Sequence, residues 1–409
     1  MTAIIDTPLS ELDPSVQRRF QTGEHFAVFD RLRAEAPVYL HEKTQYGPYW
    51  SITRYKDIIE AEANPKVFSS DAAYGGIWIK DQPKDTIRKS FMTADPPEHD
   101  VQRKVVNPIV SPMNLHRMEE EIRDIVNLVL DSLPLEEEFD WVSHVSVEVT
   151  GRVLCKLMDF PVEERLDLSN WSDIVNTDVD AGTEITDEYV KLEKLRPMIL
   201  RFRQLFSERA AMPPQNDLIS MLAHAQETLN MEPQQFVGMI VLLMVGGNDT
   251  TRNSITGGLD ALNKFPEEYA KLRANPKLIE TMVPEIIRWV TPVAHMRRTA
   301  LEDIEFKGQQ IKKGDKVVLW YCSGNRDEEV IDDPYRFRID RPNPRQHVSF
   351  GFGIHRCLGN RMAELQLRVL WEEILNRGWV IETVGDPIRR FSNFVVGIDS
   401  LKAVIHPGR

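Results

Sequence analysis

The chain has 409 residues, 42% of them hydrophobic and 28% charged, with a formal net charge of −13. That balance is ordinary for a soluble globular protein and argues against a nucleic-acid binder, which carries a basic surface. Three cysteines (Cys155, Cys322 and Cys357), odd in number and far apart, argue against a disulfide framework and fit a reducing, cytoplasmic compartment.

Residues 1–20, MTAIIDTPLSELDPSVQRRF, have neither a basic leader region nor a long apolar run. They read as an N-terminal extension, with no signal peptide and no transmembrane segment expected. Length alone suggests two or three domains, but no repeat, low-complexity tract or flexible linker divides the chain. At 99–103, HDVQR sets His99 and Arg103 one helical turn apart. Most of 100–290 reads as helices separated by turns bearing Pro or Asn, such as MPPQND at 212–217.

Residues 234–262, after Pro233, predict a long helix in which Met239, Leu243, Gly246 and Thr250 share one face. Gly246 and Gly247 interrupt it at about 1 kcal/mol each relative to alanine, and Asp249 and Thr250 follow. Taken alone, Thr250 is a helix threonine bonded to the carbonyl four residues back, that of Gly246. EIIR places Glu285 and Arg288 at i, i+3, where a solvated surface pair is the plain reading. Pro284 predicts a kink or a restart of that helix. The alternating stretch 304–321, with turns at Gly308 and Gly314, predicts a small sheet.

FGFGIHRCLG, 350–359, sets Cys357 among three glycines. An amphipathic helix over 358–375, with Ala363, Leu367, Leu370 and Ile374 as its apolar stripe, follows directly. Its free N–H groups and dipole favour a thiolate at Cys357. Gly351, Gly353 and Gly359 remove side chains where a flat ligand would lie against the backbone. From its own surroundings Cys357 reads equally as a buried inert cysteine or as a soft ligand for iron. Zinc is the weaker metal, because no second cysteine or histidine pair has ligand spacing near it.

Together these motifs resemble the cytochrome P-450 superfamily. Phe350, Gly353, Cys357 and Gly359 meet its haem-binding signature F-x-x-G-x-x-x-C-x-G, and GGNDTT (246–251) resembles the motif of its central helix. EIIR matches its E-x-x-R. Asn325-Arg326-Asp327 and Pro334, Phe337 and Arg341 match its intervening patterns, so the resemblance runs from about residue 20 to the end. It implies a mostly α fold with a small β region, a single triangular domain spanning 1–409. The cofactor implied is haem b, iron protoporphyrin IX, with Cys357 as axial thiolate and Phe350, Gly351 and Gly359 lining its site. His99, Arg103, Arg298 and His355 are implied to hold the propionates, as cation–carboxylate pairing requires. Thr250 and Asp249 are implied to be the catalytic groups, Thr250 holding oxygen and a water while Asp249 relays protons from solvent. Glu285 and Arg288 are implied to be structural.

Such a protein is a monooxygenase placing one oxygen atom of O2 into a C–H bond. Only 52 residues follow Cys357, so no fused reductase domain is expected. Electrons would come from a separate acidic 2Fe–2S ferredoxin and its NAD(P)H-dependent reductase, docking where Arg356 and Arg361 supply positive charge. GGNDTTRNSITGGLDAL, TPVAHMRRTALEDIEF and WYCSGNRDEEV resemble the bacterial subfamily acting on the terminal carbon of medium-chain alkanes and fatty acids. The pocket this implies is Ile77, Trp78, Leu243, Gly246, Val293, Ala294, Met296 and Phe394, an apolar set suited to an apolar small molecule. Two other readings stand beside it: a P-450 acting on a terpene or bulky ring, and a haem-binding sensor without turnover, against which Asp249 and Thr250 speak.

Overall fold

A computed structural model describes Ile4 and residues 6–408. Ten strands occur in the described chain: β1 (Val38–His41), β2 (Tyr49–Ile52), β3 (Phe68–Ser69), β4 (Glu138–Asp140), β5 (Met296–Ala300), β6 (Ile304–Phe306), β7 (Gln309–Ile311), β8 (Lys316–Leu319), β9 (Trp379–Arg389) and β10 (Ile398–Pro407). They form a five-stranded sheet in the order β1-β2-β8-β5-β3, a three-stranded sheet β4-β10-β9 and the β6-β7 pair. Helices make up most of the rest, so the chain is mostly α with a small β region. The stretch 304–321 does not form one sheet. It contributes β6 and β7 to the pair, gives β8 to the large sheet, and turns at Tyr321 into a short helix, Tyr321–Gly324.

The helix Pro233–Lys264 is buried along most of its length and belongs to the main hydrophobic core, beside the helices Val147–Met158 and Ile279–Val290. Gly238 lets another segment touch it, because a Cβ there would stand 2.0 Å from the carbonyl oxygen of Lys89. The Lys89 N–H also donates to the Gln234 carbonyl at 3.3 Å, which pins residues 88–90 against the start of this helix. The helix after the cysteine begins at Asn360, two residues later than its apolar stripe suggests, with Gly359 as its N-cap. Pro284 does not restart its helix, which runs unbroken from Ile279 to Val290. Within the first twenty residues, 1–3 and 5 lie outside the described set, and the rest is no loose extension. Leu12 and Phe20 pack with Phe29 and Trp320 in a separate core cluster. Among the described residues, no helix is long and apolar enough to cross a membrane.

Candidate active site

The loop 350–359 is held closed by main-chain bonds. The Cys357 N–H donates to the Phe350 carbonyl at 2.8 Å. From the helix Glu98–Val106, Arg103 donates to the carbonyls of Ile354 (3.0 Å) and Arg356 (2.6 Å). Cys357 lines an internal cavity. Burial raises its thiol pKa, opposed by the N–H groups of Gly359 and Asn360 and the charges of Arg103 and Arg356. The thiolate bias expected of a helix start is therefore present but outweighed by burial, and a bound metal cation would favour the thiolate. Two of the three glycines also serve something other than a flat ligand. Gly353, at φ +66°, would place a Cβ 2.5 Å from the Glu62 carbonyl oxygen, and Gly351 faces the Glu62 carboxylate and the Tyr321 hydroxyl at 3.4 Å. Only Gly359 opens onto free space.

Basic side chains gather beside this loop. Arg298, on β5, donates to Glu62 at 2.9 Å, and Glu62 also accepts from the Tyr321 hydroxyl and the Phe352 N–H. Burial raises the Glu62 carboxyl pKa, against the pull of Arg298, Tyr321 and Phe352. His355 pairs its Nε2 with Ser70 Oγ at 2.7 Å, which leaves Nδ1 buried and unpartnered. His99 pairs its Nδ1 with Asp100 at 2.8 Å, leaving Nε2 in the same condition. The two imidazoles meet edge to face, with centroids 4.6 Å apart. Burial, then Arg298, His99 and Arg103, push the His355 pKa down to about 2, so it stays neutral without an anion beside it.

Across the cavity stands the helix Pro233–Lys264. Thr250 faces in and donates to the Gly246 carbonyl at 2.9 Å, the local bond its sequence position predicts. Gly246 exposes its backbone there, with nothing within 4 Å of where a Cβ would lie. Asp249 turns the other way. Its carboxylate is fully buried, ion-paired to Arg252, 3.7 Å from Arg390, and accepts from Ser172 and from Asn176 at 2.9 Å. Arg252 and Arg390 continue to the half-exposed Asp173 and Asp399, so the cluster runs from the back of the helix to the surface. Burial raises the Asp249 carboxyl pKa despite both arginines.

Residues 20–398 match the family described as Cytochrome P450. The chain belongs to the cytochrome P450 family. It is 37% identical over 392 residues to a linalool 8-monooxygenase of Pseudomonas putida, covering 93% of this chain and 95% of that protein. It is 31% identical over 390 residues to a methyl-branched lipid omega-hydroxylase of Mycobacterium tuberculosis, covering 91% and 89%. A solved cytochrome P450-153 from Novosphingobium aromaticivorans superposes with a TM-score of 0.90 at 42% identity, covering 96% of this chain and 99% of that one. This P450 is a monooxygenase, and its cofactor is haem with a cysteine thiolate as axial ligand.

The residues present fit that cofactor. Cys155 and Cys322 are buried away from the cavity with thiol pKa values pushed up to about 12 by burial, so Cys357 is the cysteine available to iron. The unpartnered His99 Nε2 and His355 Nδ1, beside Arg298, ask for an acidic edge such as a pair of propionates. Arg103 gives two of its five donors to the loop carbonyls and so also shapes the cysteine loop.

Of the expected substrate residues, Ile77, Trp78, Leu243, Gly246, Val293, Met296 and Phe394 all line the cavity of this P450. Ala294 does not. Its N–H donates to the Phe394 carbonyl at 2.8 Å and its carbonyl accepts from Cys322, which sends its methyl into the core beside Trp320. Sequence reasoning missed Glu62 and Ser70, whose partners lie hundreds of positions away, and Arg88 and Lys191, which line the cavity. Arg88 and Lys191 lie among other charged residues, in KDTIRKSF and DEYVKLEKLR, so nothing local set them apart.

Proposed function

We propose that this P450 hydroxylates the terminal carbon of linear aliphatic chains, medium-chain alkanes or fatty acids, with electrons from a separate 2Fe–2S ferredoxin and its NAD(P)H-dependent reductase. The observation that carries the reading is the apolar wall of Ile77, Leu243, Val293, Met296 and Phe394 leading to Cys357. Similarity to a P450-153 and to a lipid omega-hydroxylase supports it. When bound, haem supplies oxygen activation and C–H oxidation. The chain supplies the rest. Arg103 fixes the cysteine loop, the apolar wall excludes water and presents a chain end, and Thr250 Oγ1 offers a hydrogen bond on the cavity side of the helix. Asp249, whose carboxylate lies in the surface-reaching ion cluster behind the helix, serves as the proton relay by swinging from that cluster toward Thr250.

A titration tests the substrate class: linear alkanes and fatty acids shift the Soret band and yield terminal alcohols, whereas a camphor-like ring does neither. The reverse pattern overturns the reading. The resemblance to a linalool 8-monooxygenase favours a second one, an acyclic terpene alcohol, and linalool belongs in the same panel.

For the electron donor, Arg356 and Arg361 are exposed and make no ion pair among the described residues, and exposed Phe352 and Met113 lie on neighbouring elements. An acidic ferredoxin docking there predicts that Arg361→Glu raises the KM for ferredoxin severalfold and flattens its salt dependence, with substrate affinity unchanged. Steady-state turnover against ferredoxin concentration at two ionic strengths measures this. An unchanged KM would remove the docking site.

A further inference from the structure

The far part of the same cavity is not apolar. Arg88 lines it and is only 6% exposed, yet its guanidinium makes no hydrogen bond or ion pair among the described residues, and its Nε is buried without a partner. The guanidinium lies over the face of Trp78, 5.4 Å from the ring centroid. A cation on an aromatic face is stabilised, but the five N–H donors of the guanidinium stay open. Lys191 lines the cavity beside it and is 5% exposed. The carboxylate nearest both is Glu188, which is engaged with Lys191 at 3.2 Å and reaches Arg88 only through space. Asp178, also on this wall, accepts from Gln17 at 2.9 Å.

Buried charges in proteins are paired, and one left unpaired is strongly unfavourable. The main chain next to Arg88 is fixed, because Lys89 is pinned to the helix Pro233–Lys264 at Gln234 and Gly238. The partner it lacks is therefore an anion that arrives with the ligand. A guanidinium fork matches a carboxylate with two parallel hydrogen bonds. The cavity thus has a cationic end and an apolar wall leading to the cysteine, the complement of an amphiphile with an acidic head and a hydrocarbon tail.

We propose that Arg88, supported by Lys191, is a carboxylate-binding end to this cavity, so that the linear substrate is a fatty acid held by its head at Arg88 with its methyl end presented at Cys357. The proposal rests on the linear-chain reading above and decides between its two substrate classes. Arg88 is a specificity-determining residue in it, remote from the reacting carbon. Glu188 is its competitor, a carboxylate that partly offsets the charge when no substrate is present.

The test uses the purified haem-loaded enzyme and three probes of one chain length: dodecanoate, methyl dodecanoate and dodecane, titrated by the Soret shift. Wild type binds the acid more tightly than the ester. Arg88→Leu lowers the ratio of acid to ester affinity by about ten- to a hundredfold, the range of a hydrogen bond to a charged group. Glu188→Gln raises the affinity for the acid, a gain that misfolding cannot produce. An unchanged ratio in Arg88→Leu, or weaker acid binding in Glu188→Gln, overturns the carboxylate end while dodecane binding leaves the linear-chain reading standing. Wild type that binds none of the three overturns both.

Discussion

Cys357→Ser is expected to abolish monooxygenase turnover while leaving the fold intact. The loop around this residue is built from main-chain bonds: its own N–H to Phe350, and Arg103 to the carbonyls of Ile354 and Arg356. None of these involves the sulfur, so serine fits the same geometry. What changes is the donor atom, from a soft polarisable sulfur to a hard hydroxyl oxygen that does not ionise at neutral pH and does not push electron density onto iron. Loss of an outer partner of a metal ligand typically costs ~10–100-fold, and loss of the ligand itself is expected to exceed that. The measurements are the far-UV circular dichroism spectrum, unchanged, and the reduced carbon-monoxide adduct, which loses the red-shifted band of a thiolate-bound haem. A variant that keeps that band and its turnover would show that another residue ligates the iron.

The features readable in the sequence were those whose chemistry is contiguous. FGFGIHRCLG fixes a glycine-rich turn and a cysteine within ten positions. The 3.6-residue pattern over 234–262 predicted the helix Pro233–Lys264 almost to its ends. Motifs also placed Thr250 and Gly246 on one helix face, because i and i+4 fix that relation. Where a site depends on residues brought from afar, local pattern is silent. Glu62 organises Arg298, Tyr321 and Phe352, which are 236, 259 and 290 positions away. It sits in a stretch, YKDIIEAEANP, that reads as an ordinary amphipathic helix. Direction is the other blind spot. Asp249 is one residue from Thr250, yet 100° of helix turn sends its carboxylate to the opposite side, into the cluster with Arg252 and Arg390. Ala294 failed for a similar reason, because its backbone bonds to Phe394 and Cys322 decide which way its methyl points.

The second large effect is expected at Glu285. The side chains of Glu285 and Arg288 are both essentially inaccessible and meet through two bonds of 2.7 and 2.8 Å. Arg341 Nε adds a third bond at 3.0 Å, and the Arg338 N–H a fourth at 2.8 Å. Removing the carboxylate leaves two buried guanidinium groups facing each other without a counter-charge, which costs about 3–5 kcal/mol out of the ~5–15 kcal/mol that holds a typical domain folded. The damage reaches the haem loop along a short path. Arg288 donates to the Asn325 carbonyl at 2.9 Å and to that of Pro334 at 3.0 Å. The Asn325 side chain in turn accepts from the Val348 N–H at 2.7 Å and donates to Ser349 Oγ at 2.8 Å, at the entrance to residues 350–359. Glu285→Ala is therefore expected to lower the thermal midpoint sharply and to yield protein with little bound haem, measured by calorimetry and by the ratio of Soret to protein absorbance. Replacing both partners with apolar residues is often neutral for a buried ion pair, and here it is expected not to rescue, because Arg341 loses its buried carboxylate and the Asn325 and Pro334 carbonyls lose their bonds from Arg288. A Glu285→Met, Arg288→Leu double variant as stable as wild type would mean that the pair acts only on itself and that the cysteine loop is held by other bonds.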